Sequence, residues 1–420
     1  MHQKINPVRN SRWMLKTRHR TFQATVQVAK KRGIISNGIN KKLATALIFV
    51  SAVSFGAVST PAKNYLFSLF APFEYSRWTA KTQKTKAEII IPFHIKTPHA
   101  VKGIYMSSWV AGTAEMRENL INLAEKTEIN SMVVDVKDYS GKISFKTKNA
   151  SLNAFGAEEN RIPDINNFIK ELHNKNIYVI ARISVFQDDY LANKIPALAI
   201  KNKQGNPWKD KSGVSWLYPS NKDVWDYIIN IAREAEKAGF DELNFDYIRF
   251  PSDGNLNNIK YENLAEENGK QEIIKNFFAY LHTNLKDVGV PLSADLFGLT
   301  LWRQDDMNIG QILENTAPYF DYISPMVYPS HYPNGFNGYK NPAEHPYEII
   351  LEGMIKGKER LLAASSTPYK LRPWLQDFNL GANYDSAMIK KEKQAVYDAG
   401  LNSWLVWNAA NRYTEKAYDK

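Results

Sequence analysis

Two aspartates in this 420-residue chain stand where a carboxylate is expensive to keep. Asp246 lies in Asn-Phe-Asp-Tyr-Ile-Arg and Asp295 in Ser-Ala-Asp-Leu-Phe-Gly, each central in an apolar run. An isolated carboxylate in such surroundings is costly unless it is paired or used. Two carboxyl groups facing one cleft suit hydrolysis of a glycosidic bond: one protonates the leaving oxygen while the other attacks carbon or activates water. Cationic neighbours such as Lys137, Arg182 or Arg249 would keep one acid ionised, and apolar walls would raise the pKa of the other. The structural alternative is a plain buried ion pair, of Asp246 with Arg249 or Lys137 and of Asp295 with a similar partner.

The elements that must position these acids are strands that alternate with helices. Eight short apolar runs can be counted: GIYMSSW (103–109), SMVVDVK (131–137), IYVIARISVF (177–186), ELNFDYIRF (242–250), PLSADLFG (291–298), YISPMVYP (322–329), LRPWLQDF (371–378) and SWLVWNA (403–409). Amphipathic helical patterns lie between them, at Glu115–Lys126, Asn167–Asn174, Asp223–Ala238, Ile273–Lys286 and Asp385–Ala399. Gly239, Gly289 and Gly400 stand near helix ends just before the next strand, where a left-handed cap is cheap. Such alternation implies parallel pairing with right-handed crossovers, and eight units predict an α/β fold closed as a (β/α)8 TIM barrel. An open doubly wound sheet is the second choice, but no G-x-G-x-x-G turn follows the first strand.

In such a barrel, function sits at the C-terminal ends of the strands. Besides Asp246 and Asp295 as the catalytic pair, the residues expected to bind substrate there are Asp135, Lys137, Arg182, Arg249, Tyr328, Trp374, Gln376 and Trp407. Asp135 and Lys137 are two apart and so share a strand face, which fits a strand-end salt bridge equally well. Asp377, out of phase with Gln376, reads as structural. Tryptophans such as Trp109, Trp208, Trp216 and Trp302 could stack on sugar rings, though core packing explains any single one as well. The long connection Gln187–Asn221 is expected to form one wall of the cleft, and a second aromatic loop runs from Tyr328 through Phe336.

Composition narrows the function classes. With 44% hydrophobic and 23% charged residues the chain is globular in type. Its net charge of +11 is concentrated. Residues 1–42 hold eleven Lys or Arg and no acid, and the other 43 basic residues balance 43 acidic ones. The folded part is therefore neutral, which argues against a nucleic-acid partner. There is no Cys, so disulfides, thiolate metal sites and a Cys nucleophile are excluded. The eight His residues include no His-x-His pair, and only His331 falls just after a strand end, so no metal site and no cofactor are expected. A G-x-S-x-G nucleophile elbow is absent.

The N-terminal part reads as a device for placement. Residues 1–42 form a basic leader, 43–59 (LATALIFVSAVSFGAVS) an uncharged apolar stretch fit for a membrane anchor or signal segment, and 60–100 a Pro- and Lys/Thr-rich linker or tether. The positive-inside rule then puts the leader in the cytoplasm and the barrel, 101–420, outside it, membrane-anchored or secreted.

The stretches SMVVDVKDYSGKISF, WLYPSNKDVWDYIINIAREAEKAGFDELNFDYIRFPSDG, SADLFG, YISPMVYPSHYP and LRPWLQDF, taken in order, resemble the TIM-barrel, glycosidase-like family formerly called domain of unknown function 4015, over residues 101–410. The resemblance implies a (β/α)8 barrel of glycoside hydrolase type, with Asp246 of FDYIRFP as the leading catalytic carboxylate and Asp295 of SADLFG as its partner. It implies no particular sugar. The reading is thus a glycoside hydrolase acting on an extracellular or cell-envelope polysaccharide or oligosaccharide. The alternative is a non-catalytic glycan-binding barrel that keeps the aromatics and uses the acids structurally. A metal-dependent hydrolase on the same fold is the third possibility and lacks the His/Asp cluster it would need.

Overall fold

The computed structural model describes residues 92–261 and 269–420. The basic leader, the apolar segment 43–59 and the linker as far as residue 91 lie outside the described residues. No helix among the described residues is long and apolar enough to cross a membrane.

Eight strands close into one barrel: β1 (Lys102–Met106), β2 (Ser131–Lys137), β3 (Tyr178–Ser184), β4 (Glu242–Asp246), β5 (Leu292–Phe297), β6 (Tyr322–Met326), β7 (Trp374–Gln376) and β8 (Trp404–Trp407). Every neighbouring pair is parallel, and β1 closes the ring against β8. The connecting helices are α1 (Ala114–Lys126), α2 (Ile165–Asn174), α3 (Lys222–Ala238), α4 (Gly269–Leu285), α5 (Leu313–Thr316), α6 (Pro346–Ala363) and α7 (Ser386–Asp398). Among the described residues, β8 is followed by a 3-10 turn, Glu415–Ala417. The (β/α)8 expectation thus agrees with the closed ring, although the β5–β6 crossover is reduced to a four-residue helix. Gly239 ends α3 at φ 109°, with its N–H returned to the carbonyls of the last turn, so the chain can reverse into β4.

The period of two along each strand separates two cores. On β4, Leu243 and Phe245 face outward into the large apolar layer under the helices, and Val179, Ala181 and Ile183 do the same on β3. The inward set is of another kind: Tyr178, Ile180 and Arg182 on β3, and Glu242, Asn244 and Asp246 on β4. The interior is therefore aromatic and charged, and it is organised in levels.

The lowest level is a closed polar floor. Arg372, just before β7, donates to both oxygens of Glu242, through Nη1 at 3.1 Å and through Nη2 at shorter range. Glu242 also accepts from Ser293 Oγ at 2.6 Å and Tyr178 OH at 3.1 Å. Residues 95–101 run across this end. Ile95 N donates to Asp241 Oδ1 at 2.8 Å, Thr97 Oγ1 meets Tyr178 OH at 3.1 Å, and Val101 N donates to Ser403 Oγ at 3.0 Å. Breaking a buried pair by removing one partner costs about 3–5 kcal/mol. Arg372→Met is expected to lower unfolding free energy by that amount in urea titrations, and adding Glu242→Gln should recover most of it.

Several boundaries differ from the sequence expectation for local reasons. The first strand stops at Met106 because the Ser107 hydroxyl accepts from Val110 N and caps a short helix, Ser108–Ala111. The fourth stops at Asp246, where Tyr247 turns to φ 53°. Strand β7 begins only at Trp374, which leaves Arg372 in the floor and not in a strand. The connection Gln187–Asn221 is no open loop. It folds into the helix Asp189–Lys194, a 3-10 turn at Pro196–Leu198 and the strand Lys201–Asn202, which pairs antiparallel with Ile259–Lys260. Trp208 and Trp216 are buried in it, their indole N–H groups donating to Asn255 O (3.0 Å) and Asp210 Oδ2 (2.9 Å), so they pack its core and offer no free face for a sugar.

Candidate active site

The register that builds the floor also brings the two aspartates together. Asn244 lies opposite Ser293 and Phe245 opposite Ala294. One step further along each strand sets Asp246 beside Asp295, both inward, at the C-terminal ends of β4 and β5. Both line a cavity of about 340 Å³ that opens at that end of the barrel. Arg182, Arg249, Tyr328, Trp374 and Trp407 line it as well, joined by Tyr247, Phe297, Met326, His331 and Tyr332.

Three donors converge on Asp246. Arg182 donates to Oδ2 through Nε (3.0 Å) and Nη2 (2.5 Å), and Tyr247 N donates to Oδ1 at 2.6 Å. An ionised carboxylate is an acceptor only, so this set completes the charged form. The Tyr247 N–H reaches Oδ1 from a left-handed backbone that bulky residues rarely adopt. Such strain persists only where its surroundings over-determine it, and it clusters at functional sites.

Asp295 is held differently. Its Oδ1 accepts from Asn244 Nδ2 and from Trp374 Nε1, both at 2.9 Å. Burial, reinforced by the negative charge of Asp246 next to it, pushes the Asp295 carboxyl up to about 8. With both donors on Oδ1, Oδ2 is the oxygen placed to carry a proton into the cavity. A buried carboxyl pushed toward its protonated form, beside a second one whose oxygens accept from three donors, is the pattern of an acid and its partner.

Arg182 is shared. Its Nη1 donates at 2.6 Å to Asp135 Oδ1, whose Oδ2 accepts from Tyr105 OH at 2.5 Å. Burial works against the Arg182 cation, but the charges of Asp246 and Asp135 outweigh it and raise the guanidinium well above its usual range, while desolvation raises Asp135. Arg182 also lies over the Trp407 ring, 5.1 Å from its centroid, and Trp407 stacks on Tyr105 at 4.0 Å. Trp374 meets Trp407 edge-on at 5.7 Å and is almost wholly buried, so it orients Asp295 more than it offers a stacking face. Burial raises Tyr328 well above its normal range and lowers His331, leaving both neutral walls near pH 7.

Three expected contributors stand outside the cavity lining. Asp135 lies behind Arg182. Lys137 is fully buried and pairs with Asp188 at 2.9 Å while donating to Ser184 O at 2.6 Å. Gln376 accepts from Ser330 Oγ at 2.8 Å and donates to Phe378 O at 2.8 Å, bracing the β6–α6 connection. Asp377 binds Thr414 and Tyr418, a structural set. None of residues 187–221 lines the cavity, whereas the loop after β6 does so through Tyr328, His331 and Tyr332. Asn244 and Phe297 could have been added by counting two back from Asp246 and two forward from Asp295. Tyr332 falls in the aromatic loop expected from Tyr328 through Phe336, whereas Tyr247 carries no such sequence signal. Among the described residues, no three of His, Asp or Glu group as metal ligands would.

Comparison with known proteins bears on the fold and the family. A hypothetical protein from Ruminiclostridium thermocellum is 39% identical over 46% of this chain and 96% of its own, with a TM-score of 0.42. The PgaB (BpsB) glycoside hydrolase domain from Bordetella bronchiseptica superposes at TM-score 0.56 with 12% identity, over 74% of this chain and 95% of that one. The α-L-fucosidase isoenzyme 2 from Paenibacillus thiaminolyticus does so at 0.51 with 12% identity, over 76% of this chain and 48% of that one. At such identity these last two establish a shared barrel and nothing finer. No curated protein matches the chain. The family model described as "Putative glycosyl hydrolase domain" matches residues 103–413, which take in every strand of the barrel but the first residue of β1, and both aspartates; the chain belongs to that glycosyl hydrolase domain family.

Proposed function

We propose that the barrel hydrolyses O-glycosidic bonds in an extracellular or cell-envelope polysaccharide by a two-carboxylate mechanism. The observation that carries the reading is the asymmetry between Asp246, surrounded by three donors, and Asp295, pushed up to about 8, on one cavity wall. Asp295 donates its proton to the glycosidic oxygen as the bond to the anomeric carbon breaks, and the leaving sugar departs with its hydroxyl restored. Asp246 attacks the same carbon and holds the sugar as an ester. Water then replaces Asp246, giving a proton to Asp295 and returning both groups to their starting states. The extracytoplasmic location is supported by the basic leader and the apolar run 43–59.

Adjacent strands lie about 4.8 Å apart, so side chains at one level suit the roughly 5–5.5 Å separation of retaining enzymes better than the wider gap that admits a water. The purified protein, incubated with a panel of cell-envelope polysaccharides, is expected to release reducing ends from at least one. Proton NMR of the first product should show retained anomeric configuration. Absence of reducing ends across the panel, with glycan binding intact, would favour a binding module. Initial inversion would remove the ester from the mechanism.

A further inference from the structure

Three arginines among the described residues are buried, and they are treated unequally. Arg182 has two aspartates and Arg372 has Glu242. Arg249 also lines the cavity, yet among the described residues no Asp or Glu lies within ion-pair distance of it. Asp246, Asp253 and Asp210 are the acids near enough to favour its charge, and burial still lowers its pKa. Its Nη1 is used, donating to Phe250 O at 3.0 Å and Ser252 Oγ at 3.2 Å. Nε and Nη2 find no acceptor among the described residues. Three rings hold the guanidinium in place: Phe297 at 4.5 Å, Trp216 at 4.9 Å and Tyr247 at 5.3 Å from its carbon.

Those rings offset part of the cost of burying the cation, and they fix its plane. The unused Nε–Nη2 edge is the fork that grips two oxygens of an anion side by side. A neutral sugar hydroxyl would satisfy one of these donors and leave the charge uncompensated.

We propose that Arg249 is a specificity-determining residue that receives an anionic substituent of the sugar, a uronic acid carboxylate or a sulfate or phosphate ester, so that the substrate is an acidic polysaccharide. This rests on the cavity being the glycan site, and it deepens that reading by naming the substrate class. Residues 43–420 carry as many acidic as basic side chains, so the preference comes from one placed group and not from a broad basic surface.

The test is binding by the whole protein, read separately from cleavage. Carboxylated polysaccharides are compared with the same polymers after chemical reduction of their carboxyl groups to alcohols, and sulfated and phosphorylated glycans form two further arms. Wild-type protein is expected to bind one acidic class roughly tenfold or more tightly than its neutral counterpart. Arg249→Met should abolish that preference, and Arg249→Lys should restore part of it. The arm that responds identifies the anion. Thermal unfolding checks that each variant is folded, and the lysine variant keeps the test valid if the methionine variant is not. Equal binding of acidic and neutral forms by wild type, or a preference that survives in both variants, overturns the proposal while leaving hydrolysis untouched. An Arg249-dependent acidic preference without any release of reducing ends would keep the subsite and end the hydrolase reading.

Discussion

Asp246→Asn is expected to lower kcat by about 10³-fold or more while leaving the fold and glycan binding in place. The amide can still accept from Tyr247 N, but it carries no charge and offers an NH2 where Arg182 now donates two hydrogen bonds. It can neither form the ester nor stabilise positive charge on the sugar. The measurement is turnover on the best substrate of the panel, paired with binding of the same polymer. Lost turnover with retained binding identifies an enzyme. Undiminished turnover would remove Asp246 from the chemistry and return it to the role of a structural ion pair with Arg182.

The second large effect belongs to Asp295→Asn. Without its acid the enzyme must expel an unprotonated leaving group, so turnover of natural glycans should fall by roughly 10²–10⁴. Aryl glycosides, whose leaving groups need little help, should suffer least. The pH profile supplies an independent readout. In the proposed mechanism Asp295 acts protonated, so kcat/KM of the wild type should fall as pH rises through about 8, and the variant should lack that limb. Stability gives a third. The folded-state value lies above the ordinary 3.8, so between about 4 and about 8 the native protein binds more protons than the unfolded chain. Stability is then full below that window and declines as pH rises across it. The amide avoids this decline and still accepts from Asn244 and Trp374, so the variant should melt higher than wild type at pH 7. A lower melting temperature together with an unchanged alkaline limb would contradict the assignment.

Much of the barrel was legible because burial on one face of a strand writes a period of two, and helices between strands write 3.6. The two aspartates were legible for the same reason, as charges in the middle of runs that are otherwise apolar. What was lost lay where the period fails. Asp135 and Lys137 are two apart and should share a face. The register of β2 against β3 shifts between them, pairing Asp135 with Arg182 but Lys137 with Ile183, and the lysine is sent to Asp188. Arg372 lies only two residues before Trp374, yet that distance separates a floor residue from a cavity residue, and composition alone does not mark where a strand begins. The segment 187–221 carries polar and aromatic residues in the manner of a cleft loop. Its tryptophans are buried because Asn255 and Asp210, one of them distant in sequence, accept their N–H groups. Long-range partners of that kind leave no local trace. Tyr247 is a similar case, since an aromatic residue gives no hint that its backbone is left-handed.

The guanidinium of Arg182 ties a carboxylate in the cavity to one beneath it, and Asp135 in turn leans on Tyr105 from β1. A change at either lower position would reach the reacting centre by releasing a tether, without altering any surface a sugar touches. Positions ranked by lost catalysis would therefore trace a footprint deeper than the ligand itself, running down the wall through β3 and β2 to β1. The cavity thus answers to a wide set of inherited changes, and an engineer seeking new specificity has most freedom on the Tyr332 side, away from that chain of bonds.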